Sequence, residues 1–316
     1  MLVLVGCTNM VFDRKTLVIP DNTKFEENTI ITNGDVVIND RCLIRFGIKT
    51  DGRIFIGENA IIDGALDSTG DIRVDIFTKI GSDVTSGGNV YFGDKCNVKG
   101  KLMLKGDLDV GDSVEIEKGF EAKGWINIRS PIPVVIYIFI YLTQLLNMGH
   151  SEEIERILDE IEETDGETIP ISETFLFIPN SSIIGVQKSK IDTNVNIGKN
   201  CRIIGNLEVK GNVIVGDDTN IHGTIKSTGK IICNKKVEIH GNINATGDLI
   251  VEEKTKIAGN IHADQVTVAK DSTINGKIFA KKGISFIEPK KISADEKVKR
   301  FESDADVVDE VKNMLE

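Results

Sequence analysis

Glycine returns at a fixed interval. Gly34, Gly52, Gly70, Gly88, Gly106 and Gly124 keep a spacing of eighteen without a miss, and Gly211, Gly229 and Gly247 keep it again later in the chain. A fixed period of this length marks a solenoid, in which each repeat builds one coil. Blocks such as IFIGENAIIDGALDSTGD (residues 54–71) and VIVGDDTNIHGTIKSTGK (residues 213–230) place aliphatic residues at positions 1, 3, 9 and 13. Position 7 is small or aliphatic, as at Ala60, Thr78, Val114 and Thr219, and position 15 is small, as at Ser68, Ser86, Ser227 and Ala245. This is period-2 alternation in three short segments, so each block predicts three strands closing one triangular coil. Nothing recurs at the helical period. Position 17 reads as a tight corner where glycine supplies φ > 0 or lets backbones approach closely. Position 11 reads as a second corner, with Gly64, Gly100, Gly205, Gly223, Gly241, Gly259 and Gly276.

The coils fall into two arrays. "LVIPDN" from Leu17 opens the first, and "LFIPNS" from Leu176 opens the second in the same way. Each runs six coils and enters a seventh, about 30 Å tall at ~4.8 Å per strand. One later block, LIVEEKTKIAGNIHADQ, is a single residue short, the deletion falling at the glycine corner. The expected fold is all-β: two tandem triangular β-solenoids of right-handed coils, each followed by a short acidic helix. The expected domains are an apolar N-terminal segment (1–17), solenoid 1 (18–143), an acidic helical linker (144–176), solenoid 2 (177–293) and a C-terminal amphipathic helix (294–316). The helices are read from apolar stripes at Ile154, Ile157, Leu158 and Ile161, and at Val308, Val311 and Leu315. They suit either covers for open solenoid ends or partner-binding surfaces.

The chain is acidic, with a net charge of −11 and a pI near 5.0. That argues against general nucleic-acid binding, which needs a basic face to displace counterions. No phosphate-binding loop or dinucleotide fingerprint is present, so no nucleotide and no cofactor is expected. Cys42, Cys96 and Cys201 fall at position 7 and Cys233 at position 3, all inward. Cys42 and Cys96 would lie roughly 14 Å apart, too far for a disulfide. Buried thiols in a reducing, cytoplasmic setting follow. His222 and His240 share position 10 and should stack outside as a ladder, with no third metal ligand at usable spacing. Asn206, Asn242 and Asn260 sit at a corner position. Asp94, Asp112 and Asp217 lack the carboxylate density of a calcium-binding repeat.

Two segments suggest a membrane. Leu2, Val3, Leu4 and Val5 form an apolar N-terminal run, too short for a secretory signal. "LVGC" around Cys7 has the look of a lipobox without an upstream signal body. The stretch SPIPVVIYIFIYLTQLLNMG, from Ser130 to Gly149, carries no charge. Hydropathy alone reads it as a transmembrane helix. Yet Ile126, Ile128, Ile132, Val134, Ile138 and Ile140 continue the inward positions. Val135, Tyr137, Phe139 and Tyr141 would then point outward as an assembly or membrane patch.

An uninterrupted eighteen-residue coil, glycine corners, long loopless arrays and a short apolar N-terminus resemble the bactofilins. The resemblance covers Val18–Ile140 and Phe177–Ile292. It implies a right-handed triangular β-helix, filaments assembled end to end without nucleotide, and membrane attachment through the N-terminus. The expected function is a structural, polymer-forming scaffold whose partner is itself, with the membrane surface as a further contact. Two cores in one chain depart from the family pattern. A competing enzyme class, the hexapeptide-repeat acyltransferases, also uses such coils, and IGENAI, VGDDTN and VGDSVE fit its pattern. Only one face of three fits regularly, and no loop breaks the coils to carry a catalytic histidine. A non-polymerising β-helix adaptor is the third alternative.

Overall fold

The computed structural model describes residues 4–5, 15–129 and 169–287. Among them all regular structure is strand, in pieces of two to four residues. Apart from a short pairing of Leu4–Val5 with Ile169–Pro170, the strands form three sheets of 14, 12 and 12 strands, the faces of one triangular prism. Parallel pairing advances by one period per coil: Ile54 lies beside Ile72, Leu66 beside Val84, and Lys79 beside Asn97.

The predicted inward positions are the core. Ile54, Ile56, Ala60, Ile62, Leu66 and Ser68, from a single block, are all buried. So are their equivalents Val213, Val215, Thr219, Ile221, Ile225 and Ser227. Each buried Ile or Leu contributes about 1.5–3 kcal/mol of apolar transfer, and the coil repeats that contribution along the axis. The small polar residues satisfy backbone groups. Ser68, Ser86 and Ser227 at position 15 donate to the carbonyls of Gly52, Gly70 and Gly211 in the neighbouring coil, at 2.6–2.8 Å. Each hydroxyl also accepts from the N–H of the glycine two residues on. The repeated "STG" is thus a corner in which serine closes the bonds that the turn leaves open.

The nine glycines Gly34, Gly52, Gly70, Gly88, Gly106, Gly124, Gly211, Gly229 and Gly247 stand at that corner. Of these only Gly34 has φ > 0. The reason for glycine is close approach: a Cβ on Gly52 would lie 2.2 Å from the backbone of Gly34. Left-handed backbone is used at position 6 instead, a third corner that the repeat pattern does not mark. Asn59, Phe77, Lys95, Asp218, Lys236 and Lys254 take φ of 55–59° there. An αL residue needs no glycine when its Cβ faces solvent, and the cost is spread over many coils.

The two arrays do not stand as separate solenoids: they form one continuous stack, joined at their N-terminal ends by exchanged coils. Leu17–Ile19 opens the first array but pairs in parallel with Val195–Ile197 of the second. Phe175–Ile178 opens the second array but pairs in parallel with Asp35–Ile38 of the first. Between them Val18 meets Phe177 in antiparallel register. The other two faces close by hairpins. Lys24–Phe25 turns back on Thr29–Thr32, and Ile183–Ile184 turns back on Lys188–Ile191. Each face therefore carries one antiparallel pairing, at the joint, and winding proceeds outward from it in both directions. Val18 and Phe177 hold the same place in "LVIPDN" and "LFIPNS", so their pair sits on a pseudo-two-fold axis.

Candidate assembly surfaces

Corner geometry holds successive coils in register. Asp94 Oδ1 accepts the N–H of Asp112, and Asn212 Oδ1 accepts that of Lys230, each at 2.8 Å. Asn206 and Asn242 do the same for Thr224 and Asn260 at another corner. The acidic and amide residues of the corners are caps between coils. Along one edge the relay runs Asp71, Asn89, Asp107, and then Trp125, whose N–H is capped at 2.8 Å. Trp125 has no side-chain oxygen to offer a further coil, so the relay stops there.

The four cysteines among the described residues are inward, as expected. Cys42 Sγ donates to Pro179 O at 3.1 Å and Cys201 Sγ to Pro20 O at 3.2 Å, a symmetric pair of contacts across the exchanged coils. Burial pushes the thiols of Cys42, Cys96 and Cys201 up to about 11 and that of Cys233 to about 12. They stay protonated and unreactive at neutral pH.

His222 and His240 stack on the surface, ring centroids 4.5 Å apart and planes 1° from parallel. Ring nitrogens lie in the ring planes, so parallel rings do not converge on one ion. Partial burial and the neighbouring His240 lower the pKa of His222, which favours the neutral stack. Among the described residues no three His, Cys, Asp or Glu side chains group at one metal position. The open groove over Lys188, Asn206, Thr224 and Asn242 holds no nucleophile paired with a base.

The unfinished surfaces are the two ends of the stack. At the first array's outer end lie Phe120, Trp125, Ile126 and Ile128, exposed by 46%, 85%, 48% and 70%. At the other end lie Phe279, Ile284, Phe286 and Ile287, exposed by 37–63%. Phe120, Ile126 and Ile128 occupy inward positions of the last described coil. Among the described residues they are core side chains without a neighbouring coil, beside strands with no further partner. The sequence pattern puts the assembly patch at Val135, Tyr137, Phe139 and Tyr141 and the terminal helices at 151–161 and 294–316. All of these lie outside the described residues, as do Leu2 and Val3. Leu4–Val5, expected to contact membrane, pair with Ile169–Pro170. No helix among the described residues is long and apolar enough to cross a membrane.

This geometry, loopless coils ending in exposed core, is what a structural polymer subunit presents. A family model described as "Bactofilin: Polymer-forming cytoskeletal" matches residues 195–282 and 213–310. Over these residues the second array is similar to the bactofilin family. Matched residues begin at Val195, where the second array leaves the joint. The first array carries the same positional pattern in the same prism. Bactofilins are a structural family, and the described role fits the end surfaces. Neither curated proteins nor solved structures yield a match to the chain.

Proposed function

We propose that this chain is a cytoskeletal scaffold subunit that polymerises through the two outer ends of its solenoid, without nucleotide. The observation that carries the reading is the exposed core at both ends, Phe120, Ile126 and Ile128 at one and Ile284 and Phe286 at the other. A second copy is the fitting occupant. Only another coil of the same cross-section supplies both apolar cover and directional strand bonds to the open edges. The internal joint supports this, since it is already an end-to-end meeting of two arrays, closed by one antiparallel pairing on each face.

Because the joint consumes both N-terminal ends, each subunit offers two C-terminal coils. Purified full-length protein in buffer free of nucleotide should sediment and show filaments by negative stain. A monodisperse species at tens of micromolar, unchanged by added nucleotide, would refute polymerisation. Filaments that appear only with nucleotide would refute the nucleotide-independent part.

A further inference from the structure

The two outer ends carry opposite charge. The last complete coil of the first array, residues 108–125, has five carboxylates against two lysines, a net −3. Arg129 beyond it is held by Asp109 at 2.5 Å and leaves the excess negative. The last complete coil of the second array, residues 266–283, has four lysines against one aspartate, a net +3. Glu115, Glu117 and Glu121 are exposed at the first end, and all four lysines are exposed at the second. Within the stack, neighbouring coils already match outward charges. Arg45 pairs with Asp63, Lys235 with Glu253 and Lys256 with Glu238, each across one coil step, at 2.8–3.1 Å. One exposed pair of this kind adds little to stability. A whole set of charges facing another set decides which partner is rejected.

Backbone geometry does not choose between the ends. Both are C-terminal ends of an array, so any two would meet with antiparallel strands, as the N-terminal ends do at Val18 and Phe177. Both also expose apolar core, Ile126 and Ile128 at one and Ile284 and Phe286 at the other. Charge is what tells them apart. Resting on the end-to-end reading above, we propose that the first array's outer end docks on the second array's outer end of another copy, so that the polymer is polar, with every chain pointing the same way. Like pairings would set −3 against −3 and +3 against +3. Their separation would be about one coil step of ~4.8 Å, inside the Debye length of ~8 Å at physiological salt. The unlike pairing sets −3 against +3 at every contact.

Two charge-reversed chains, each full length, test this. One carries Lys277→Glu and Lys281→Glu, which turns its second end negative. The other carries Glu115→Lys and Glu117→Lys, which turns its first end positive. All four side chains are exposed, so circular dichroism should show the fold retained. Each variant alone should need at least about tenfold more protein to sediment, because its two ends now repel. An equimolar mixture should polymerise near the wild-type concentration, since each variant then offers the end that the other lacks. Variants that sediment as readily as the wild type, or a mixture no better than its components, would overturn the polar arrangement and leave end-to-end assembly standing. A wild-type chain that stays monomeric would instead refute end-to-end assembly itself, and the polar arrangement with it.

Discussion

Replacing Ile128 by Asp tests the end surface directly. Ile128 lies in Ile126–Ile128, the outermost described strand of its face, and is 70% exposed. The array should therefore fold with the substitution. In an end-to-end contact the exposed parts of Ile128 and Ile126 would be buried. At ~25 cal/mol per Å² that is worth about 1–2 kcal/mol each. The Ile128→Asp variant forfeits one such contribution and adds the desolvation of an unpaired carboxylate, a few kcal/mol. A loss of about 4 kcal/mol raises the dissociation constant of that end contact roughly 10³-fold, at about 1.4 kcal/mol per decade. The assay is sedimentation over a concentration series, with circular dichroism to verify the β fold. Because Phe286 at the far end is untouched, the product is informative. Dimers mean that like ends pair; monomers mean that the first end meets the second. Polymerisation at an unchanged critical concentration with an intact fold would refute the assignment of these residues to assembly.

Ile62→Asp should unfold the first array, because a buried unpaired carboxylate costs several kcal/mol, whereas His222→Ala should leave melting and sedimentation unchanged. Gly241→Ala should lower the melting temperature, since its Cβ would sit 2.3 Å from the carbonyl oxygen of Gly223, while Gly283→Ala meets no atom within 4 Å and costs only its φ of +102°. Burial alone would raise the pKa of Asp35, but its bonds from Arg53 and Ser172 offset this and hold it below the usual carboxylate value. Its contribution to stability is therefore present above the unfolded pKa of ~4 and lost as pH falls through the lower folded value; an acid titration of Asp35→Asn should lack that component. Native protein should resist alkylation at Cys42, Cys96, Cys201 and Cys233 under mildly alkaline conditions, with labelling appearing only on unfolding, as peptide mass analysis would show.

The coil is legible because solenoid physics is local and periodic. A residue at position 9 meets position 9 of the next coil, so Ile62, Ile80 and Val98 announce the same core three times. The alternation between Ile54 and Ile56, or Val213 and Val215, leaves only one inward set. The αL corner at position 6 is not legible, because Asn59, Phe77 and Lys95 share no chemistry. What they share is a solvent-facing Cβ, a property of the folded coil. The glycine corners stand where the period puts them, but of the two reasons for glycine it is close coil-to-coil approach, and not positive φ, that holds at nearly all of them. The register of a seventh coil is what points the aromatic run at 137–141 outward as an expected patch, and that run lies outside the described residues. Ile126 and Ile128, by contrast, look like ordinary core positions in the repeat.

The joint is the feature that periodicity hides. A repeat predicts that Leu17–Ile19 should stack on the coil that follows it in sequence. Strand positions are equivalent, however, so the same residues stack equally well on the equivalent coil of the second array. The choice is made at the turns. Glu26–Asn28 and residues 185–187 make hairpins where every other coil makes a corner, and a hairpin reverses the winding. Reversal is what allows the two arrays to meet head to head, each capping the other's open first coil with strand bonds. A duplicated chain gains from this what a single array must obtain from a second molecule. Its two N-terminal ends are closed against each other, and among the described residues the open strand edges are those of the outer ends, Ile126–Ile128 and Ile284–Ile287.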